Sequence, residues 1–108
     1  MRVRVAPITP APDGLLPGKD YEVIGIEADS YRIIDEAQEP LLFEPTNFII
    51  TETTQPPFWR CSAGPDGERY CYPESWDRVG FFEDYFDGVA TVRQQFWQEY
   101  ATLYARAK

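Results

Sequence analysis

Tyr31-Arg32-Ile33-Ile34, the polar stretch Asp35 to Glu39, Leu41-Leu42-Phe43, and then Glu44-Pro45-Thr46-Asn47 ahead of Phe48-Ile49-Ile50-Thr51 decide the fold. β-Branched and aromatic residues gather in short runs, and the segments between them carry turn-forming Asp, Asn and Pro. Successive antiparallel strands are expected. Laid without a gap over Trp59 to Trp76, the segment Tyr31 to Phe48 matches Tyr31 with Trp59, Arg32 with Arg60, Leu42 with Tyr70, Pro45 with Pro73 and Phe48 with Trp76. Both copies read aromatic-Arg, polar turn, apolar return strand, Pro-x-x-aromatic. Two copies are too few for a solenoid, so the unit is expected to be scaffold, with Tyr31, Phe48, Trp59 and Trp76 as matched core anchors.

On the N-terminal side, Tyr21, Val23, Ile24 and Ile26 form another strand-like run, separated from Tyr31 by the turn Ala28-Asp29-Ser30. These runs are expected to pair as a hairpin. Before them, Ala6 to Gly18 holds Pro7, Pro10, Pro12 and Pro17 with Gly14 and Gly18, a density that blocks helix and central-strand hydrogen bonding. Residues 1–18 therefore read as a Pro-rich extended lead-in. On the C-terminal side, Phe58 to Cys61 and Glu68 to Tyr72 flank Gly64-Pro65-Asp66-Gly67, which supplies the chemistry of a tight reversal. Beyond it, Val79 to Phe86 and Val89 to Ala107 carry helical periodicity. Val89, Val92, Phe96, Tyr100 and Leu103 form one stripe, flanked by Trp97 and Tyr104. Asp87 or Gly88 is expected to cap the start of this helix, and Arg106 and Lys108 to complement its dipole.

The stretch from Leu16 to Glu52 resembles a Src-homology-3-like (SH3-like) small barrel. Tyr31-Arg32-Ile33-Ile34-Asp35 stands in the place of the strand that crosses the barrel. Glu44-Pro45-Thr46-Asn47-Phe48-Ile49 looks like the Pro-Ser-Asn-Tyr-Val turn and last strand of that family. The resemblance implies an SH3-like barrel. Of the family's peptide groove only Pro45 and Phe48 carry over, Phe48 lacks the hydroxyl, and no Ala-Leu-Tyr-Asp-Tyr segment is present. The expectation is one α+β domain, 1–108: an antiparallel SH3-like curved sheet or barrel of about five to six strands over 19–76, extended by a second hairpin. A C-terminal amphipathic helix, within 77–108, packs on it.

Eighteen acidic residues against ten basic ones, with no His, give a formal charge of −8. A phosphate backbone would be repelled, so no nucleic-acid partner is expected, and the field favours a basic protein surface. No apolar run reaches the length of a membrane span or signal peptide, and a cytoplasmic location follows as the default expectation. Cys61 and Cys71 lie on the two arms of the second hairpin. A symmetric odd loop puts them directly opposite, whereas a four-residue Gly64 to Gly67 loop pairs Cys61 with Tyr70 and turns the sulfurs to different faces. In a reducing compartment, reduced and half-buried thiols are expected.

A Cys or Ser nucleophile normally needs a base, usually His, and the chain has none. Lys19, beside Asp20, reads as a surface residue. Asp35-Glu36, Glu83-Asp84 and Asp87 read as a solvated acidic face, because acid/base work needs carboxylates whose pKa values are driven apart. Neither an EF-hand spacing nor a phosphate-cradling glycine pattern is present, so no metal and no cofactor are expected. The leading expectation is a non-catalytic protein-binding module, of the acidic inhibitor or immunity type, covering a basic partner surface through Arg60, Tyr70, Tyr72, Glu83 and Asp84. The competing one is a small-molecule or cationic-ligand domain with an aromatic pocket between sheet and helix. A hydrolase using carboxylates alone ranks third.

Overall fold

The computed structural model describes residues 1–7 and 10–104. It is α+β, and the chain divides into two compact units, Met1–Pro73 and Glu74–Lys108. Each is described by itself.

In the first unit, alternation within Arg2–Val5 buries Val3 and Val5 and turns Arg4 outward, which makes this segment strand β1. It is the central strand of a three-stranded antiparallel sheet, between β2 (Asp20–Glu22) and β6 (Phe48–Glu52). The start of the lead-in is thus extended but paired on both sides. Leu15 from the Pro-rich stretch is also buried in the core, and the Leu16 N–H donates to the Tyr21 hydroxyl at 2.8 Å. What looked like one strand from Tyr21 to Ile26 is divided. β2 belongs to the first sheet, while β3 (Gly25–Glu27) enters a five-stranded sheet of order β5-β4-β3-β8-β7.

The other members of that sheet are β4 (Ser30–Ile34), β5 (Pro40–Phe43), β7 (Trp59–Ala63) and β8 (Arg69–Pro73). β3 and β4 form the expected hairpin around Ala28 and Asp29, both at positive φ (48° and 69°). That pattern in a two-residue loop matches the twist of the flanking strands. The architecture is two open antiparallel sheets, and neither closes on itself. The core between them contains Val3, Val5, Tyr21, Val23, Ile26, Ile33, Phe43, Trp59 and Cys71.

The two hairpins that matched in sequence differ in register. Arg32 pairs with Leu42, but Arg60 pairs with Tyr72 and not with Tyr70. Arg32 is buried and Arg60 is exposed. Of the four matched aromatics, Trp59 and Trp76 are buried, whereas Tyr31 and Phe48 are half-buried and pack against each other with ring centroids 5.9 Å apart. The shared feature that holds is a 3-10 turn after each return strand, at Pro45–Asn47 and at Glu74–Trp76.

The β7–β8 register also overturns the expectation of reduced thiols. The Gly64 N–H donates to Glu68 O at 2.8 Å, which leaves an odd five-residue loop and sets Cys61 directly opposite Cys71. Alternation from that bond makes Cys61–Cys71 a non-hydrogen-bonded pair, the closer kind in an antiparallel ladder, and their Cα atoms are 4.1 Å apart. The two sulfurs form a disulfide. The same alternation places Pro73, which has no N–H, at a non-hydrogen-bonded site opposite Trp59.

In the second unit, α1 (Phe81–Phe86) and α2 (Ala90–Leu103) enclose an aromatic cluster. Trp76 lies 4.6 Å from Phe96, 5.8 Å from Tyr104 and 6.1 Å from Phe82, centroid to centroid. The Trp76 indole N–H donates to Glu99 Oε1 at 2.8 Å, and the Trp97 N–H to the Tyr85 hydroxyl at 3.0 Å, so both buried polar edges are satisfied. Val89 is the N-cap of α2 and contributes no side-chain bond, contrary to the expected cap at Asp87 or Gly88. Those two residues end α1 instead: the Asp87 N–H returns to Glu83 O, and Gly88 adopts φ 82°, the left-handed conformation that suits a helix C-terminus. The expected dipole partners Arg106 and Lys108 lie outside the described residues. No helix among the described residues is long and apolar enough to cross a membrane.

Candidate functional site

β6 reads Phe48-Ile49-Ile50-Thr51-Glu52, a strongly strand-forming segment, yet it occupies the edge of its sheet and pairs only with β1. The Ala6 N–H donates to Asn47 O at 2.8 Å, so by alternation Ile49 exchanges backbone bonds with Arg4 while Phe48 and Ile50 turn their backbone groups away from β1. The Phe48 N–H is taken by Pro45 O. The Phe48 carbonyl and both backbone groups of Ile50 thus face outward, with no partner among the described residues. Ile49 is 51% and Ile50 45% exposed. Glu44 and Glu52 stand exposed at either end. A bulge at Thr51 ends the regular ladder.

At one end of the two sheets, a cleft of about 390 Å³ is formed by strand ends. Met1, Ile26, Tyr31 and Ile50 give it an apolar floor, beside Pro45. Asp29, Thr53, Gln55 and Arg69 supply its polar rim. Asp29 is fixed by β8, because its Oδ1 accepts the Arg69 N–H at 2.9 Å and its own N–H donates to Arg69 O at 3.1 Å. The Arg69 guanidinium has no ion-pair partner among the described residues. By contrast Arg4, Lys19, Arg32 and Arg78 pair with Asp20, Glu36, Glu27 and Asp84.

Of the residues expected to bind a partner, Arg60, Tyr70 and Tyr72 fall in the first unit and Glu83 and Asp84 in the second. Arg60 is exposed on β7. Its cross-strand neighbour Tyr72 is only 4% exposed and lies in the interior. The Tyr72 hydroxyl accepts from Arg32 Nε at 2.9 Å and donates to Glu27 Oε1 at 2.8 Å. Arg32 spends its remaining donors on Pro40 O and the same Glu27 oxygen, which is how its buried charge is satisfied. Burial raises the Tyr72 pKa strongly, despite the Arg32 charge. Gly25 makes room for this arrangement, since a Cβ there would fall inside the Tyr72 ring. Tyr70 is half-buried, and desolvation together with the nearby Glu68 carboxylate raises its pKa. Glu83 and Asp84 lie in the first turn of α1 in the other unit, with Asp84 held by Arg78 at 3.1 Å.

Sequence reasoning identified β6 as a strand and Arg69 as part of a hairpin arm, but neither as functional. The signal that was available is the run Phe48-Ile49-Ile50, apolar on successive positions where a strand with one buried face would alternate. Among the described residues, no three His, Cys, Asp or Glu side chains converge in a way that could hold a metal ion. Comparison with protein-family models, with curated proteins and with solved structures found no match.

Proposed function

We propose that the chain is a non-catalytic protein-binding module of the acidic inhibitor type, which takes an extended segment of a basic partner along the outer edge of β6. The observation that carries this reading is the unpaired edge itself, with Ile49 and Ile50 about half exposed and backbone groups at Phe48 and Ile50 turned outward. An added strand would satisfy those groups and cover both isoleucines. Charge supports the choice of partner: Glu44 and Glu52 bracket the edge, and the whole chain carries −8. An SH3-like character of the stretch Leu16 to Glu52 belongs to the same proposal. It draws support from the 3-10 turn Pro45–Asn47 that runs directly into β6, as the family's Pro-Ser-Asn-Tyr-Val segment leads into its last strand.

The test is capture of partners from cells on the immobilised protein, followed by calorimetry on the purified partner with wild-type protein and with Glu44→Lys/Glu52→Lys. The expected result is a basic protein whose affinity falls with salt and drops by roughly tenfold or more on charge reversal. Retention of no protein, or a partner indifferent to charge reversal, would refute the reading.

A further inference from the structure

The cleft at the sheet ends differs in chemistry from the acidic edge. Its one guanidinium, on Arg69, is without a carboxylate partner among the described residues, in a chain where most other described cations are paired. A guanidinium at the rim of an apolar floor selects a carboxylate carried next to an apolar group. We infer that this cleft receives the C-terminal residue of a peptide, its terminal carboxylate on Arg69 and its apolar side chain on Tyr31 and Ile50.

Three features favour a chain terminus over other carboxylates. The floor of Met1, Ile26, Tyr31 and Ile50 offers apolar contact to one side chain. Arg69 offers a planar fork to both oxygens of a carboxylate. Asp29, Thr53 and Gln55 on the same rim offer acceptors to a peptide N–H. A C-terminal residue presents side chain, carboxylate and N–H from a single Cα. An alkyl carboxylate lacks the N–H, and an internal glutamate holds its carboxylate on the side chain that would have to fill the floor. Asp29 is positioned before any ligand arrives, because its turn conformation and its two bonds to the Arg69 backbone fix it. The cleft shares Ile50 with the β6 edge, but its chemistry rests on Arg69.

The experiment is an amide-resolved NMR titration of the full chain with acetyl-Gly-Gly-Leu bearing a free C-terminus, with its C-terminal amide, and with an amidated acetyl-Gly-Glu-Gly. The free acid is expected to saturate in the ~1 mM range and to shift Tyr31, Ile50, Thr53, Gln55 and Arg69. The amide is expected to bind at least about fivefold more weakly, and Arg69→Gln to abolish that difference while leaving the rest of the spectrum in place. Arg69→Lys, which keeps the charge and loses the fork, is expected to fall between the two. Equal affinity for acid and amide, equal binding of the internal glutamate, or no shift at the cleft up to about 10 mM would overturn the proposal. None of these outcomes depends on whether β6 accepts a strand.

Discussion

Arg32 shows how a single residue can be misread from its type. The sequence places it as the twin of Arg60, yet it is only 5% exposed and uses all three guanidinium nitrogens within the protein, on Tyr72, Pro40 and Glu27. The Tyr72 hydroxyl accepts from Nε at 2.9 Å. Tyr72→Phe removes both hydroxyl bonds, to Arg32 and to Glu27, from a buried site and is expected to lower stability by about 1–3 kcal/mol in urea unfolding, whereas an exposed Tyr would lose almost nothing. A second polar chain lies at the surface. Glu36 accepts from Lys19 at 2.7 Å and from the Tyr21 hydroxyl at 2.6 Å, and these bonds hold its carboxyl below the ordinary glutamate value. Because the folded pKa is depressed, the unfolded chain takes up the proton first as pH falls. The contribution of Glu36 is therefore complete above the ordinary glutamate pKa and is lost as pH drops through the depressed one. An NMR titration of the Glu36 carboxyl is expected to show a midpoint below that of an unstructured peptide, and Lys19→Met to move it upward.

At the scale of elements, the readings that held are those settled by local chemistry. The Ala28-Asp29 turn, the two hairpins and the C-terminal helix are each written within a few neighbouring residues. Of the stripe Val89, Val92, Phe96, Tyr100 and Leu103, however, only Val92 and Phe96 are buried, and Val89 is the exposed N-cap. The readings that failed depend on partners distant in sequence or on one residue of loop length. β1 is four residues long and followed by prolines, and it is a central strand only because β2 and β6 come to it from elsewhere in the chain. The disulfide turns on whether the β7–β8 loop is even or odd, which Gly64-Pro65-Asp66-Gly67-Glu68 leaves open until Gly64 bonds to Glu68. With Cys71 in the core at 1% exposure, that crosslink ties the edge strand β7 to the interior strand β8. Reduction, or Cys61→Ser, is expected to cost about 2 kcal/mol, measured by denaturant unfolding with and without a thiol reductant. A mutant as stable as the oxidised protein would show that the crosslink constrains nothing.

For the whole molecule, charge and composition pointed to a binding protein without saying where it binds. The five residues singled out from aromatic density and acidity fall across both units, and one of them, Tyr72, is interior. Edge position is a property of sheet order, which no short stretch of sequence contains, and so β6 was legible as a strand but not as an open one. Like the other edge strands β2, β5 and β7, β6 offers a template for pairing with another chain. The central claim, that β6 offers an unpaired ladder, concerns two adjacent amides. The Ile49 N–H bonds to β1, and the Ile50 N–H points away from it. Residue-resolved hydrogen exchange on the free protein at low concentration tests this directly. The account predicts an Ile50 amide that exchanges near the unprotected rate and an Ile49 amide slower by about 100-fold or more, whereas equal, strong protection of both would contradict it.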